Sequence, residues 1–151
     1  MEFTKWTKYL LHEGDDIGNN KHAFYKVTNV DIIVAEQQLG HPFPKDLKDF
    51  FKNVGYGFLC CDDKDSIDRL MDPKSIADFM SGNASEEDRY VMEYCKQEKQ
   101  IPFLEIGDGA YVTMDLRRGR VYYFENVIAN SLEEFLDKMD KKTDYYLDFD
   151  E

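Results

Sequence analysis

Apolar residues recur at helical spacing through most of the first two thirds of the chain and again near its end, and at strand-like alternation in between. Phe3, Trp6, Tyr9 and Leu10 are three or four apart where they repeat, which predicts a short amphipathic helix over Phe3–His12. Gly14–Asn20 (GDDIGNN) is a loop by its turn residues, and Phe24–Val27 is short and extended. Thr28 or Asn29 then caps a helix, with Asp31 suited to the positive end of its dipole. Ile32, Ala35 and Leu39 form its buried stripe, flanked by Ile33 or Val34. Gly40 stops it as a left-handed cap.

Pro42 and Pro44 hold the following connection extended, and Pro44 opens the next helix at no cost in hydrogen bonds. Leu47, Phe50 and Phe51 form the apolar face of that helix, which runs to about Asn53 and is ended by Gly55. Phe43, between the two prolines, is predicted to plug the core. Gly57–Cys61 and Ile67–Met71 read as strands. Pro73–Met80 reads as a helix with Ile76, Phe79 and Met80 on one face. Ser85 caps a longer helix, Glu86–Lys96, whose apolar face is predicted to be Tyr90, Val91 and Tyr94.

The last third changes period. Phe103–Ile106, Tyr111–Leu116 and Val121–Phe124 are strand-like runs separated by GDG and RRG turns. Asn130 or Ser131 caps a closing helix with Leu132, Phe135, Leu136 and Met139 on one side. Helices, a meander and a closing helix make an α+β fold, with a single antiparallel sheet of four to six strands flanked by helices.

Composition adds two constraints. The 151 residues suit one domain, and the many aromatics (10 Tyr, 11 Phe, 1 Trp) are expected to serve both a core and a surface meant for another protein. Thirty-one acidic against 19 basic side chains give a formal charge of −12. Such a surface repels nucleic acid and anionic lipid and attracts a basic protein. Three cysteines, Cys60, Cys61 and Cys95, are not a disulfide framework and suit a reducing compartment. With no signal-like or membrane-spanning stretch, a cytoplasmic location is expected.

Catalytic and metal-binding patterns find little support. Neighbouring Cys60 and Cys61 point to opposite faces of a strand, and no CxxC is present. The acidic run from Asp63 lacks the glycine and terminal glutamate of a calcium loop. His12, His22 and His41 all lie in the first third, with no HExxH or GxSxG. A small hydrolase could be built on Glu133 and Asp137 or on the Asp62–Asp68 loop, and a solvated face explains these acids more simply.

Three segments together resemble the SMI1/KNR4 superfamily, also called SUKH. They are IIVAEQQLG (Ile32–Gly40, with Glu36 four before the glycine), FPKDLKDFFKNVGYG (Phe43–Gly57), and FLEIGDGAYVTMDLRRGRVYYFEN followed by ANSLEEFLDKM. The resemblance implies one SMI1/KNR4-like domain over 1–151. Its core spans about 28–139, with an N-terminal helix and loop over 1–27 and an acidic tail over 140–151. Gly40, Phe43, Pro44, Leu47, Phe50 and Gly55 are then fold-forming. Bacterial members resemble immunity proteins encoded beside polymorphic toxins, whose C-terminal domain, often a nuclease, they neutralise without catalysis. Fungal members are larger scaffolding regulators, so a regulatory adaptor is the alternative. The implied partner is a basic toxin domain, with no cofactor and no metal. Two patches are expected to face it: Asp62, Asp63, Asp65 and Asp68, and Asp144, Tyr145, Tyr146, Asp148 and Asp150.

Overall fold

The computed structural model describes residues 3–11, 21–59, 68–83, 85–106, 110–142 and 146. Its centre is one antiparallel sheet in which every strand pairs with its sequence neighbour. The strands are β1 (Ala23–Tyr25), β2 (Tyr56–Leu59), β3 (Asp68–Leu70), β4 (Gln100–Ile106), β5 (Ala110–Asp115), β6 (Val121–Tyr123) and β7 (Asn126–Ala129). The α+β expectation holds, with one strand more than the four to six predicted. The addition is β7, a run of four residues too brief to show alternation.

Helices α1 (Asn29–Leu39) and α2 (Lys45–Asn53) join β1 to β2. Helix α3 (Pro73–Asp78), a π turn at Phe79–Asn83 and α4 (Glu86–Glu98) join β3 to β4, and α5 (Leu132–Lys141) follows β7. Four of these five helices start on a side-chain cap, and α2 starts on Pro44. Thr28 and Asp31 form a reciprocal capping box on α1. Asp72, Ser85 and Ser131 accept backbone N–H groups at the starts of α3, α4 and α5. Gly40 closes α1 at φ 84°, as its position before the prolines predicts.

Both faces of the sheet are covered. Tyr111 and Thr113 lie on one face of β5, Val112 and Met114 on the other, and all four are buried. On the first face, Tyr111 meets the ring of Phe79 at 5.0 Å, and Thr113 donates to Gln100 at 2.6 Å. The ring of Phe103 on β4 meets that of Phe135 on α5 at 5.5 Å. Pro102 has no N–H to give the ladder, and the register of β4 shifts there, between Pro102 and Leu104.

The glycine–proline corner is held by one side chain. Glu36 on α1 accepts the Phe43 backbone N–H at 2.8 Å and pairs with Lys48 on α2 at 3.1 Å. Phe43 is thereby seated in the core with its ring edge-on to Phe51 at 5.3 Å. Leu47, Phe50 and Phe51 are buried as the spacing predicts, and so are all four apolar residues named on α5.

The N-terminal segment packs onto this core. Its helix is a 3-10 helix over Thr4–Tyr9, with Phe3 edge-on to Phe50 and Trp6 buried. A backbone bond from Leu11 to Phe24 at 2.8 Å anchors its end to β1.

Two helix faces differ from the reading of spacing alone. On α4 the buried side chains are Met92 and Cys95, whereas Tyr90 is 75% exposed. Aromatic residues outweighed Met and Cys in that prediction, yet Met and Cys are both good core fillers. On α1 only Ile32 and Ala35 are fully buried, while Val30, Ile33 and Val34 are more than half exposed.

Candidate partner-binding surface

The predicted acidic patches separate into two groups. Asp62, Asp63, Asp65, Asp144, Tyr145, Asp148 and Asp150 lie outside the described residues, as do Cys60 and Cys61. Asp68 and Tyr146 are buried. Asp68 sits on β3, opposite Leu59 on β2 and Ile106 on β4, so the sheet encloses its carboxylate. Tyr146 lays its ring 5.1 Å from that of Tyr123. These two side chains belong to the packing of the fold and are removed from the expected exterior patches.

The titratable groups near the end of α5 are tied into structural pairs, with Lys5 reaching both Asp137 and Asp140. Asp137 pairs with Lys5 at 2.9 Å. His22 is wholly buried, 2.7 Å from a carboxylate oxygen of Asp140, with the rings of Trp6, Tyr9 and Phe24 around it. Burial raises the Asp140 pKa, but His22 and Lys21 together hold it below the ordinary carboxylate value. This cluster ties the segment before β1 to the end of α5. Cys95 is enclosed, and burial pushes its thiol up to about 12, which leaves it protonated and unreactive. Among the described residues, no group of three or more His, Cys, Asp or Glu is disposed to hold a metal ion. No helix among them is long and apolar enough to cross a membrane.

A shaped opening lies where the end of α4 meets the β5–β6 turn. It is a cleft of about 620 Å³. One carboxylate builds its floor. Asp115, at the end of β5, accepts the backbone N–H groups of Arg117, Arg118 and Arg120 and the side-chain Nε–H of Arg120. Burial works to raise its pKa, and these donors outweigh burial and hold it below the ordinary value. With Gly119 at φ 72°, the turn is fixed and the chain doubles back into β6. Arg120 lies over the Tyr122 ring at 5.9 Å.

The same turn sends Arg117 and Arg118 outward, and both are exposed. Lys99 joins them from the C-cap of α4, held there in a left-handed conformation at φ 56°. None of these three cations has an ion-pair partner among the described residues. Glu98 and Glu125 are the other charged groups of the lining.

An aromatic ridge adjoins the cleft. Tyr94 lines it and donates its hydroxyl to the carbonyl of Phe124 at 3.4 Å. Tyr90 lies one turn before Tyr94 on the same side of α4. Phe124 is 56% exposed and occupies the first position of the two-residue connection between β6 and β7, at φ 54°. Gly or Asn is the ordinary occupant of such a position. From the sequence, RRG reads only as a turn and Tyr90 and Tyr94 as part of the apolar face of α4. The available signal was the RRGR run itself, a dense block of positive charge in an acidic chain.

Two comparisons bear on this fold. The profile of the SMI1 / KNR4 family (SUKH-1) matches residues 26–138. The Immunity protein YxxD of Bacillus subtilis (strain 168) is 32% identical over 136 residues, which cover 86% of this chain and 91% of that protein. The match takes in the capped helix, the glycine–proline corner, the whole meander and most of the closing helix, and the chain belongs to the SMI1/KNR4 family (SUKH-1).

Proposed function

We propose that this protein is a cytoplasmic immunity protein that binds one cognate toxin domain, a nuclease, and neutralises it without catalysis. The observation that carries the reading is its likeness to an immunity protein over nearly that protein's full length. Charge supports the nuclease assignment. An enzyme that acts on polyanions presents a basic surface, and a chain of charge −12 meets it with long-range attraction. The acids Asp62, Asp63, Asp65, Asp144, Asp148 and Asp150, with Tyr145, are proposed to contribute to that attraction. The engagement of Asp137, Asp140 and His22 in one network of structural pairs with Lys5 and Lys21 supports a role in occlusion over one in turnover.

Co-expression tests this directly. The toxin domain encoded beside the gene is induced in a host with and without this protein. Growth restored by this protein, together with a 1:1 complex on size exclusion, is the expected outcome. Growth arrest that persists despite abundant folded protein contradicts the proposal.

A further inference from the structure

We infer that the cleft between α4 and the β5–β6 turn, together with the Tyr90–Tyr94–Phe124 ridge, is where a carboxylate-bearing segment of the toxin docks. This rests on the immunity reading above and adds to it a place and a chemistry.

Three observations converge. Lys99, Arg117 and Arg118 stand around one concavity without an ion-pair partner among the described residues, and Arg guanidinium groups match carboxylates in paired geometry. Beside them stand exposed aromatic rings, and Tyr and Arg are the residues that most often dominate binding energy at protein interfaces. Phe124 holds its ring outward from a left-handed backbone that is unfavourable for a bulky residue. Strain of this kind clusters at sites that bind.

The occupant follows from charge. The four cations of the lining (Lys99, Arg117, Arg118 and Arg120) outnumber its three acids (Glu98, Asp115 and Glu125) and attract an anion, yet the whole molecule carries −12, which repels an extended polyanion such as DNA or RNA. Screening acts over about 8 Å at physiological salt, so a short acidic segment senses the cleft without the rest of the surface. The exposed rings of the ridge offer apolar contact to a large side chain of the same segment. The fitting ligand is a protein segment whose acidic side chains flank a large apolar one.

The test uses the full-length chain and the toxin domain encoded beside its gene. Binding constants are measured for the wild type, Arg117→Glu/Arg118→Glu, Phe124→Asn and Val30→Ser/Ile33→Ser, with circular dichroism on each. Phe124→Asn suits the left-handed position, so the fold is kept while the ring is removed. The inference expects a loss of at least about 100-fold for the double Glu variant and about 10-fold or more for Phe124→Asn. The α1 variant should bind as the wild type does. Folded cleft variants that bind normally overturn the inference and leave the immunity reading standing, as does a loss confined to the α1 variant. A single-stranded oligonucleotide that binds the wild type and no longer binds Arg117→Glu/Arg118→Glu also overturns it. Wild type that fails to bind the toxin removes the immunity reading itself.

Discussion

Glu36 gives the sharpest test of how the corner between α1 and α2 is held. Its carboxylate accepts the N–H of Phe43 at 2.8 Å and meets Lys48 at 3.1 Å, with 15% of its side chain exposed. Glu36→Ala removes both contacts and leaves a buried backbone donor without its acceptor. A hydrogen bond to a charged group contributes about 1.5–3 kcal/mol. The partly exposed ion pair adds about 0.2–1 kcal/mol. The better helix propensity of Ala returns only a few tenths of a kcal/mol. The expected loss is therefore about 2–4 kcal/mol, a fall in Tm of roughly 4–16 °C for a chain of this size. Glu36→Gln keeps an oxygen facing Phe43 and loses only charge, so it should cost about 0.5–1.5 kcal/mol. Urea unfolding of the three proteins, at unchanged m-value, measures both. Glu36→Ala within about 0.5 kcal/mol of wild type, or Glu36→Gln as damaging as Ala, refutes the reasoning.

Two further changes test the sheet and the turn. At Gly57, φ is 147° and an added Cβ would lie 2.2 Å from the Ala23 carbonyl oxygen. Gly57→Ala should cost roughly 2–6 kcal/mol by denaturant unfolding, since overlap and backbone strain each contribute about 1–3 kcal/mol. Asp115 has a folded pKa below its ordinary 3.8, so the stability it contributes is fully present above 3.8 and is lost as pH falls from there through the lower folded pKa. Asp115→Asn should therefore lose most stability at neutral pH and show a shallower acid limb in unfolding measured from pH 7 to pH 2. An acid limb as steep as that of the wild type shows that Asp115 is not its source.

The legible parts of the fold were those in which one residue has one physical job. Thr28, Gly40, Pro44 and Ser131 mark helix ends because capping and φ restrict the choice. Phe50, Phe51, Phe135 and Leu136 fell in the core because helical spacing and size agree. The resemblance carried the family, since its three segments span the corner, the meander and the closing helix. What escaped was decided by neighbours distant in sequence. Whether Tyr90 or Met92 faces the sheet depends on how α4 is rotated against β4 and β5, and local pattern does not contain that rotation. Asp68 looked like one more acid in a solvated loop until strand pairing enclosed it. The cationic cleft needed Lys99 beside Arg117 and Arg118, a proximity created by the hairpin.

The central claim is that this protein silences a toxin by covering it, one molecule for one. Titrating a fixed amount of the toxin domain with purified protein, and assaying residual toxin activity, tests that claim directly. The account predicts a linear fall to zero at a molar ratio of about one, independent of incubation time beyond complex formation, as tight stoichiometric binding requires. Complete inactivation at a small fraction of that ratio, progressing with time, would show turnover and contradict it.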